Sequence, residues 1–293
     1  MARVISKKRI ALIGGNTVIG SALLALCESH YIINHTEVIP WDKPAKAIQM
    51  LSRGHPDVFI CCYSRLDDCD SHLLGVARVL ATLANQTNAF IIGFVDTRVF
   101  GDDQSDLCDE STQPRPSCIG GELQLAYEMA LAKAKYATIL RIGEFVSQQA
   151  GCITSLLKRV MIDKLTEIDE LKQFSITTGD LLVKGVARAI EYEMVGTYHL
   201  AHTGELTERI LWKYIAEYCK KQQIRLPRVT YGGYQQSYRV LNNLKWICYS
   251  MTDVQNWQTA LIPYVTVVET LYGHECKISD SSSKSGSSCN KVT

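Results

Sequence analysis

The sequence predicts an α/β protein built on a doubly wound parallel sheet, with a smaller C-terminal α+β lobe. Three observations predict it. Arg9-Ile-Ala-Leu-Ile-Gly-Gly-Asn-Thr-Val-Ile-Gly20 reads as an apolar strand, a glycine turn and the start of an amphipathic helix. Val58-Phe-Ile-Cys-Cys62 is a short continuous apolar run, as a strand buried on both faces requires. Strand-like and helix-like segments alternate from residue 9 to residue 143, which implies right-handed βαβ crossovers.

Each element follows from its residues. The first strand is Ile10, Ala11, Leu12 and Ile13, and the turn after it is where a doubly wound fold receives a pyrophosphate. Glycine lets the backbone pass close to phosphates, and the helix N-terminus presents unpaired N–H groups. The candidate cofactor-binding residues here are Gly14, Asn16, Thr17, Val18, Ile19 and Gly20. Simple turn chemistry is the competing reading. The helix runs from Gly20 to Ser29, with Leu23, Leu24, Leu26 and Cys27 on its apolar side. A second strand, Thr36 to Trp41, ends in Asp42, about 20 residues beyond Gly20. A carboxylate at that tip accepts hydrogen bonds from an adenosine ribose, while an N-cap or turn residue before Pro44 is the other role open to it.

Lys46 to Arg53 reads as a helix, and Val58 to Cys62 as the next strand, with Cys62 added to the candidate cofactor-binding set. Leu73 to Asn85 has helical spacing, Ala89 to Val95 is a strand, and Gly101 to Pro116 is an acidic surface loop. Gly120 to Lys135 is a helix and Tyr136 to Gly143 a strand. The second half predicts helices near Ile153 to Asp163, Asp180 to Glu193, Thr207 to Lys221 and Tyr264 to Tyr272. Strands fall near Gln173 to Thr177 and Gly196 to Ala201, and Val229 to Gln236 is a glycine- and tyrosine-rich connection. The domains divide as 1–146, 147–278 with a crossover back to the sheet, and a serine-rich tail, 279–293, whose composition predicts disorder.

Composition narrows the class. Hydrophobic content of 46% and charged content of 21% suit a soluble globular chain, and no segment approaches the ~20 apolar residues of a membrane helix. The N-terminus lacks a separate apolar region, so a cytoplasmic protein is expected. A formal net charge of +1 gives no general attraction to nucleic acid, and Lys7-Lys8-Arg9 reads as a solvated lead-in. The 11 cysteines include no CxxC, and Cys61, Cys62, Cys152 and Cys248 lie in apolar runs that suit buried, reduced thiols. His199 and His202 form an HxxH on a strand, where that spacing points them to opposite faces, so no metal site is expected.

Taken in order, these segments resemble the extended short-chain dehydrogenase/reductases, in particular the dTDP-4-dehydrorhamnose reductase (RmlD-like) branch with its NAD(P)-binding Rossmann domain. That branch also contains the regulatory beta subunit of methionine adenosyltransferase. The resemblance covers roughly residues 9 to 273. It rests on the glycine turn, His55-Pro-Asp-Val-Phe-Ile, Ala89 through Gly101, Asp109-Glu110 with Pro114 and Pro116, Ile139-Leu-Arg-Ile and Gly196-Thr-Tyr-His-Leu. It implies NADP or NAD as cofactor and a substrate-type role for the C-terminal lobe.

The departures bear on chemistry. In this family a Tyr donates a proton to the substrate carbonyl, and a Lys four residues later lowers its pKa and holds the nicotinamide ribose. Here the matching stretch is Cys118-Ile-Gly-Gly-Glu-Leu-Gln-Leu-Ala-Tyr-Glu128. The Tyr position falls on Ile119 or Gly120 and the Lys position on Leu123 or Gln124, and no Tyr anywhere in the chain has a Lys four residues on. Asp96 stands where the family's catalytic Thr would be, a charge expected to repel oxyanion and hydride chemistry. Thr17 replaces the middle glycine of the turn, where it either donates to phosphate or obstructs it. The basic residue that marks an NADP preference has no clear counterpart, Lys43 beside Asp42 being a weak candidate, and Tyr127, about two turns along from Gly120, reads as a packing residue with an unorthodox catalyst as the alternative.

No catalytic residue is therefore assigned. The expectation is a non-catalytic, RmlD-like pseudoenzyme acting as a regulatory or binding subunit in a hetero-oligomer, most like the methionine adenosyltransferase regulator of S-adenosylmethionine biosynthesis. Its partner would be a catalytic methionine adenosyltransferase subunit or a related reductase, with no nucleic acid or membrane involved. The alternative is an NADPH-dependent dTDP-4-dehydrorhamnose or other nucleotide-sugar reductase with a non-standard site, or a support subunit for one.

Overall fold

A computed structural model of the chain describes residues 7–35, 39–63, 73–101, 107–148, 151–164, 167–233 and 237–272. The first half alternates as the apolar runs dictate: β1 (Arg9–Ile13), α1 (Val18–Leu23, tightening into a 3-10 turn over Leu24–Glu28), β2 (Tyr31–His35), α2 (Pro44–Leu51), β3 (Val58–Cys61), α3 (Leu73–Thr87) and β4 (Phe90–Asp96). A 3-10 turn at Thr97–Val99 follows, then α4 (Ile119–Leu131), β5 (Ala137–Ile142) and β6 (Glu144–Val146). The second half holds α5 (Cys152–Leu157), β7 (Glu167–Asp169), β8 (Lys172–Phe174), β9 (Ile176–Thr178), α6 (Gly179–Glu191), β10 (Gly196–Leu200), β11 (Leu206–Thr207) and α7 (Glu208–Lys221). It closes with β12 (Thr230–Gly232), β13 (Ser237–Arg239), α8 (Leu244–Ser250), α9 (Trp257–Val265) and α10 (Val267–Tyr272).

Six strands pair in parallel in the order β10-β5-β4-β3-β1-β2. Strand alternation sends Ala11, Ile13, Phe59, Cys61, Ile91 and Val95 to a core shared with α2, α3 and α4. Ile10, Leu12, Val58, Ile60, Ile92 and Phe94 meet α1, α6 and α8 on the other face. Both faces are covered, which is why these strands read as unbroken apolar runs. A third core joins β6, α5, α7, α9 and α10, around which β11-β8-β13, β12-β7 and β6-β9 form small sheets.

Side chains bind along the outer edge of β10. Lys245 Nζ donates to Thr197 O at 2.7 Å, Glu110 Oε1 accepts from His199 N at 2.8 Å, and Asn243 Nδ2 donates to Ala201 O at 2.6 Å. Thr197 and His199 carry backbone groups that face away from β5, so part of the edge ladder is already occupied by side chains.

Several expectations are corrected. The second strand is Tyr31–His35, not Thr36 to Trp41: the aromatic and β-branched run Tyr31-Ile-Ile pairs with Arg9-Ile-Ala, whereas Pro40 has no N–H for a ladder. Residues 36–38 lie outside the described ones. Gln173 to Thr177 is two strands, since β8 pairs with β11 and β13 while β9 pairs with β6. Tyr264 to Tyr272 spans two helices separated at Thr266, the tyrosine-rich connection contributes β12, and α8 was not foreseen. Cys61 and Cys62 are buried as expected, but Cys152 is only partly covered and Cys248 is exposed on α8. The predicted disordered tail lies outside the described residues. Among the described residues no helix is long and apolar enough to cross a membrane.

Candidate functional site

The strand order reverses between β1 and β3, so the candidate crevice is the one at the carboxyl ends of β1, β3 and β4, where open α/β sheets bind ligands. Gly14 has φ +78° and packs under the Tyr63 ring, 3.1 Å from where a Cβ would stand, and Tyr63 meets Trp41 edge-on at 6.3 Å. Any side chain at Gly20 would strike Gly14 O, so the turn and α1 are in backbone contact. That close approach is the role of the last glycine in a dinucleotide fingerprint. Gly14, Ile19 and Gly20 are buried, Val18 is half-buried and Asn16 is exposed.

Thr17 is turned inward. Its hydroxyl donates to Cys62 O at 3.3 Å and accepts from Gly20 N at 3.0 Å, capping α1. The side chain therefore ties β1 to β3 rather than projecting over the turn, which removes it as an obstruction. Cys62 contributes its carbonyl, while its side chain is buried in the core beneath. Asp42 does not sit at a strand tip. It lies exposed in the turn leading into α2, because β2 ends at His35. The cradle of Gly14, Gly15 and Gly20 fits a pyrophosphate; the structure does not place Asp42 as a strand-end ribose acceptor.

On the β4 side the arrangement is new. Asp96 caps the turn after β4 by accepting from Arg98 N at 2.9 Å, and the Arg98 side chain folds back on it, Nε at 3.0 Å from both carboxylate oxygens and Nη2 at 2.8 Å from Oδ2. The negative charge expected to stand alone at the strand end is thus neutralised. The guanidinium extends over Gly120, where Nη1 occupies the room of a Cβ. Gly121 goes further: its Cβ would strike Arg98 O, so the first turn of α4 rests directly on backbone.

This packing resolves the register of α4. Ile119 is 77% exposed and Leu123 half-buried, whereas Gly120 faces Arg98 and Gln124 is 1% exposed. The inward pair is Gly120 and Gln124. Among the described residues neither amide atom of Gln124 has a hydrogen-bond partner. Tyr127 is fully buried with its hydroxyl against Gly93 and the Cys61 thiol; burial, then Cys61, pushes its pKa well above the usual tyrosine value, and it serves as packing.

Behind α4 lies a buried ion pair. Arg141 on β5 holds Glu128 through Nε at 3.0 Å and Nη2 at 2.7 Å, and its Nη1 lies 3.4 Å from His199 Nε2 on β10. His199 Nδ1 lies 3.1 Å from Asn242 O, so a proton on Nδ1 leaves Nε2 to accept from Arg141. Burial, then the adjacent Arg141, lowers the His199 pKa to about 3. His202 has separate partners, Thr178 Oγ1 at 2.9 Å and Gln255 O at 3.1 Å. Among the described residues no cluster of three metal-ligating side chains occurs. Arg98 and the Glu128–Arg141 pair with His199 beside it were missed in the sequence, and Gln124 entered only as one of two candidates for the lysine position; the adjacent glycines at the head of α4 were the available signal.

The fold defines a Rossmann-like α/β protein with a six-stranded parallel sheet. The sequence matches the RmlD substrate binding domain family over residues 8–269, and the chain belongs to that family. Among solved structures it is similar to dTDP-4-dehydrorhamnose reductase from Bacillus anthracis, crystallised with NADP (16% identity, 89% of this chain and 99% of that one, TM-score 0.76). The same enzyme from Yersinia enterocolitica shares 18% identity over 89% and 99% of the two chains, TM-score 0.75. Bordetella bronchiseptica WbmG, crystallised with NAD, shares 12% over 92% and 96%, TM-score 0.77. No curated protein matches the chain.

Proposed function

We propose that this chain is a non-catalytic member of the RmlD family that holds NADP or NAD in its crevice and acts as a regulatory or binding subunit of a partner enzyme. The observation that carries this reading is Arg98, clamped by Asp96 and lying over Gly120, with Gln124 one turn on. The inward i, i+4 pair that the family uses as tyrosine and lysine is glycine and glutamine. A nicotinamide in the crevice would supply hydride; this chain offers no tyrosine–lysine pair to protonate the carbonyl oxygen. Cofactor binding is supported by the close approach of Gly14 and Gly20, kept with Thr17 turned inward, and by relatives crystallised with NADP and NAD.

The partner we favour is a catalytic methionine adenosyltransferase subunit, following the regulatory beta subunit of the same branch. Mixing the two purified proteins and following S-adenosylmethionine production tests this: a co-eluting complex with altered turnover supports it, and separate elution overturns that partner. The family match and the reductases among its structural relatives favour a second reading, a nucleotide-sugar reductase or its support subunit. Steady NADPH oxidation with dTDP-4-dehydrorhamnose by the purified chain alone would replace the non-catalytic reading; none is expected.

A further inference from the structure

We infer that the amino edge of the sheet, opposite the candidate crevice, carries a second binding site, and that it takes a zwitterion with an apolar body: a free α-amino acid with a large apolar side chain. The inference does not depend on the proposed cofactor or partner. A cavity of about 570 Å³ is lined by Arg9, Val58 and Phe90 at the starts of β1, β3 and β4, and by Tyr136 just before β5. Small-molecule sites are typically ~300–1,000 Å³. Crossovers in a parallel sheet return their helices to this edge. The ends of α2, α3 and α6 therefore surround the cavity and contribute Ser52, Thr87 and Glu193.

Part of the lining is apolar and buried: Pro56, Val58, Ala89, Phe90 and Ile190. The charged residues of the lining are of both signs, Arg9 paired with Asp57 at 3.2 Å and Lys8 with Glu193 at 3.5 Å. Neither pair is saturated. Among the described residues Arg9 Nη1 and Glu193 Oε2 make no hydrogen bond, and the Lys8 ammonium donates to Glu193 Oε1 alone. A lone anion would face Asp57 and Glu193, and a lone cation would face Lys8 and Arg9, so a singly charged ligand meets repulsion whichever its sign. A zwitterion satisfies both. Its carboxylate suits the spare donors of Arg9 and Lys8. Its ammonium suits Glu193, where the negative end of the α6 dipole adds to the carboxylate. The apolar residues of the lining are left for its side chain.

The test is calorimetric titration of L-phenylalanine, L-leucine and L-methionine against the wild-type protein, Lys8→Gln and Glu193→Gln, with phenethylamine and 3-phenylpropanoate as analogues that each lack one charge. Wild type is expected to bind L-phenylalanine about tenfold more tightly than either analogue, the loss of one charge-assisted contact. Lys8→Gln should weaken L-phenylalanine and leave phenethylamine unchanged, whereas Glu193→Gln should weaken L-phenylalanine and leave 3-phenylpropanoate unchanged. The Glu193 side chain is 73% exposed, so Glu193→Gln carries the test even if Lys8→Gln alters folding, which thermal unfolding of each protein reads. Failure of the wild type to bind any of the three amino acids overturns the inference. So does an analogue that binds as tightly as L-phenylalanine, since the cavity would then read the apolar body alone. Wild-type affinity for L-phenylalanine in Glu193→Gln also overturns it, because the ammonium would then be held elsewhere. The reading of the crevice stands in each of these cases.

Discussion

Arg98 and Gly120 occupy each other's space: the guanidinium of the first, held by Asp96, fills the volume that any side chain at the second would need. The crevice wall is thus built by an ion pair and an absence. A tyrosine at the head of α4 would have to displace the Arg98 guanidinium from where Asp96 holds it.

That exclusivity predicts a coupling. Gly120→Tyr is expected to destabilise the protein, and Arg98→Ala to relieve part of that cost, with an interaction of about 0.5–3 kcal/mol in a double-mutant cycle. Urea unfolding of the four proteins measures it. Strict additivity would show that the two residues do not share the space.

The neighbouring glycine makes a sharper case. Gly120→Ala meets the tip of an arginine, but Gly121→Ala meets Arg98 O and Pro116. Backbone cannot swing aside, so Gly121→Ala is expected to cost ~1–3 kcal/mol, more than Gly120→Ala. Denaturant midpoints of the two variants settle the order.

Glu128 and Arg141 are 9% and 4% exposed at their side chains. Removing one partner strands a buried charge, so Glu128→Leu is expected to cost about 3–5 kcal/mol, and Glu128→Leu with Arg141→Met much less. A double variant no more stable than the single would contradict this.

Acid should weaken the fold through histidine. His199 is held at about 3, and burial also lowers His30 and His202, each from an ordinary value near 6.5. The unfolded chain takes up these protons first, so stability falls as pH drops below ~6.5, and for His199 this continues towards 3. His199→Gln removes one such site and should flatten the decline between pH 6.5 and 5, read from urea midpoints. An unchanged slope would show that His199 is protonated in the native state.

The β10 edge offers a test without a ligand. Glu110→Ala with Lys245→Ala unpairs His199 N and Thr197 O. Faster amide exchange at His199 and increased self-association at high concentration are expected. Unaltered exchange would mean that the edge is closed by other means.

The sequence by itself determined most of the architecture. Unbroken apolar runs such as Val58 to Cys61 can only be buried on both faces, and the glycine turn between β1 and α1 is local chemistry, legible from adjacent residues. That no tyrosine has a lysine four residues on was equally plain, because it is read from the sequence without coordinates. Local signals failed at β2, where Tyr31–His35 won over the stretch ending in Asp42 through pairing with β1, and pairing is a long-range contact. Only the tertiary structure decided that Thr17 turns inward to Cys62, that Asp96 is neutralised by Arg98, and which register of α4 faces the sheet. Each depends on where a side chain meets a segment brought in from elsewhere: 45 residues away for Thr17 and Cys62, and across a turn, a loop and a helix start for Arg98 and Gly120. Periodicity gives the face of an element but not what stands opposite it. In this chain what stands opposite the head of α4 is an arginine.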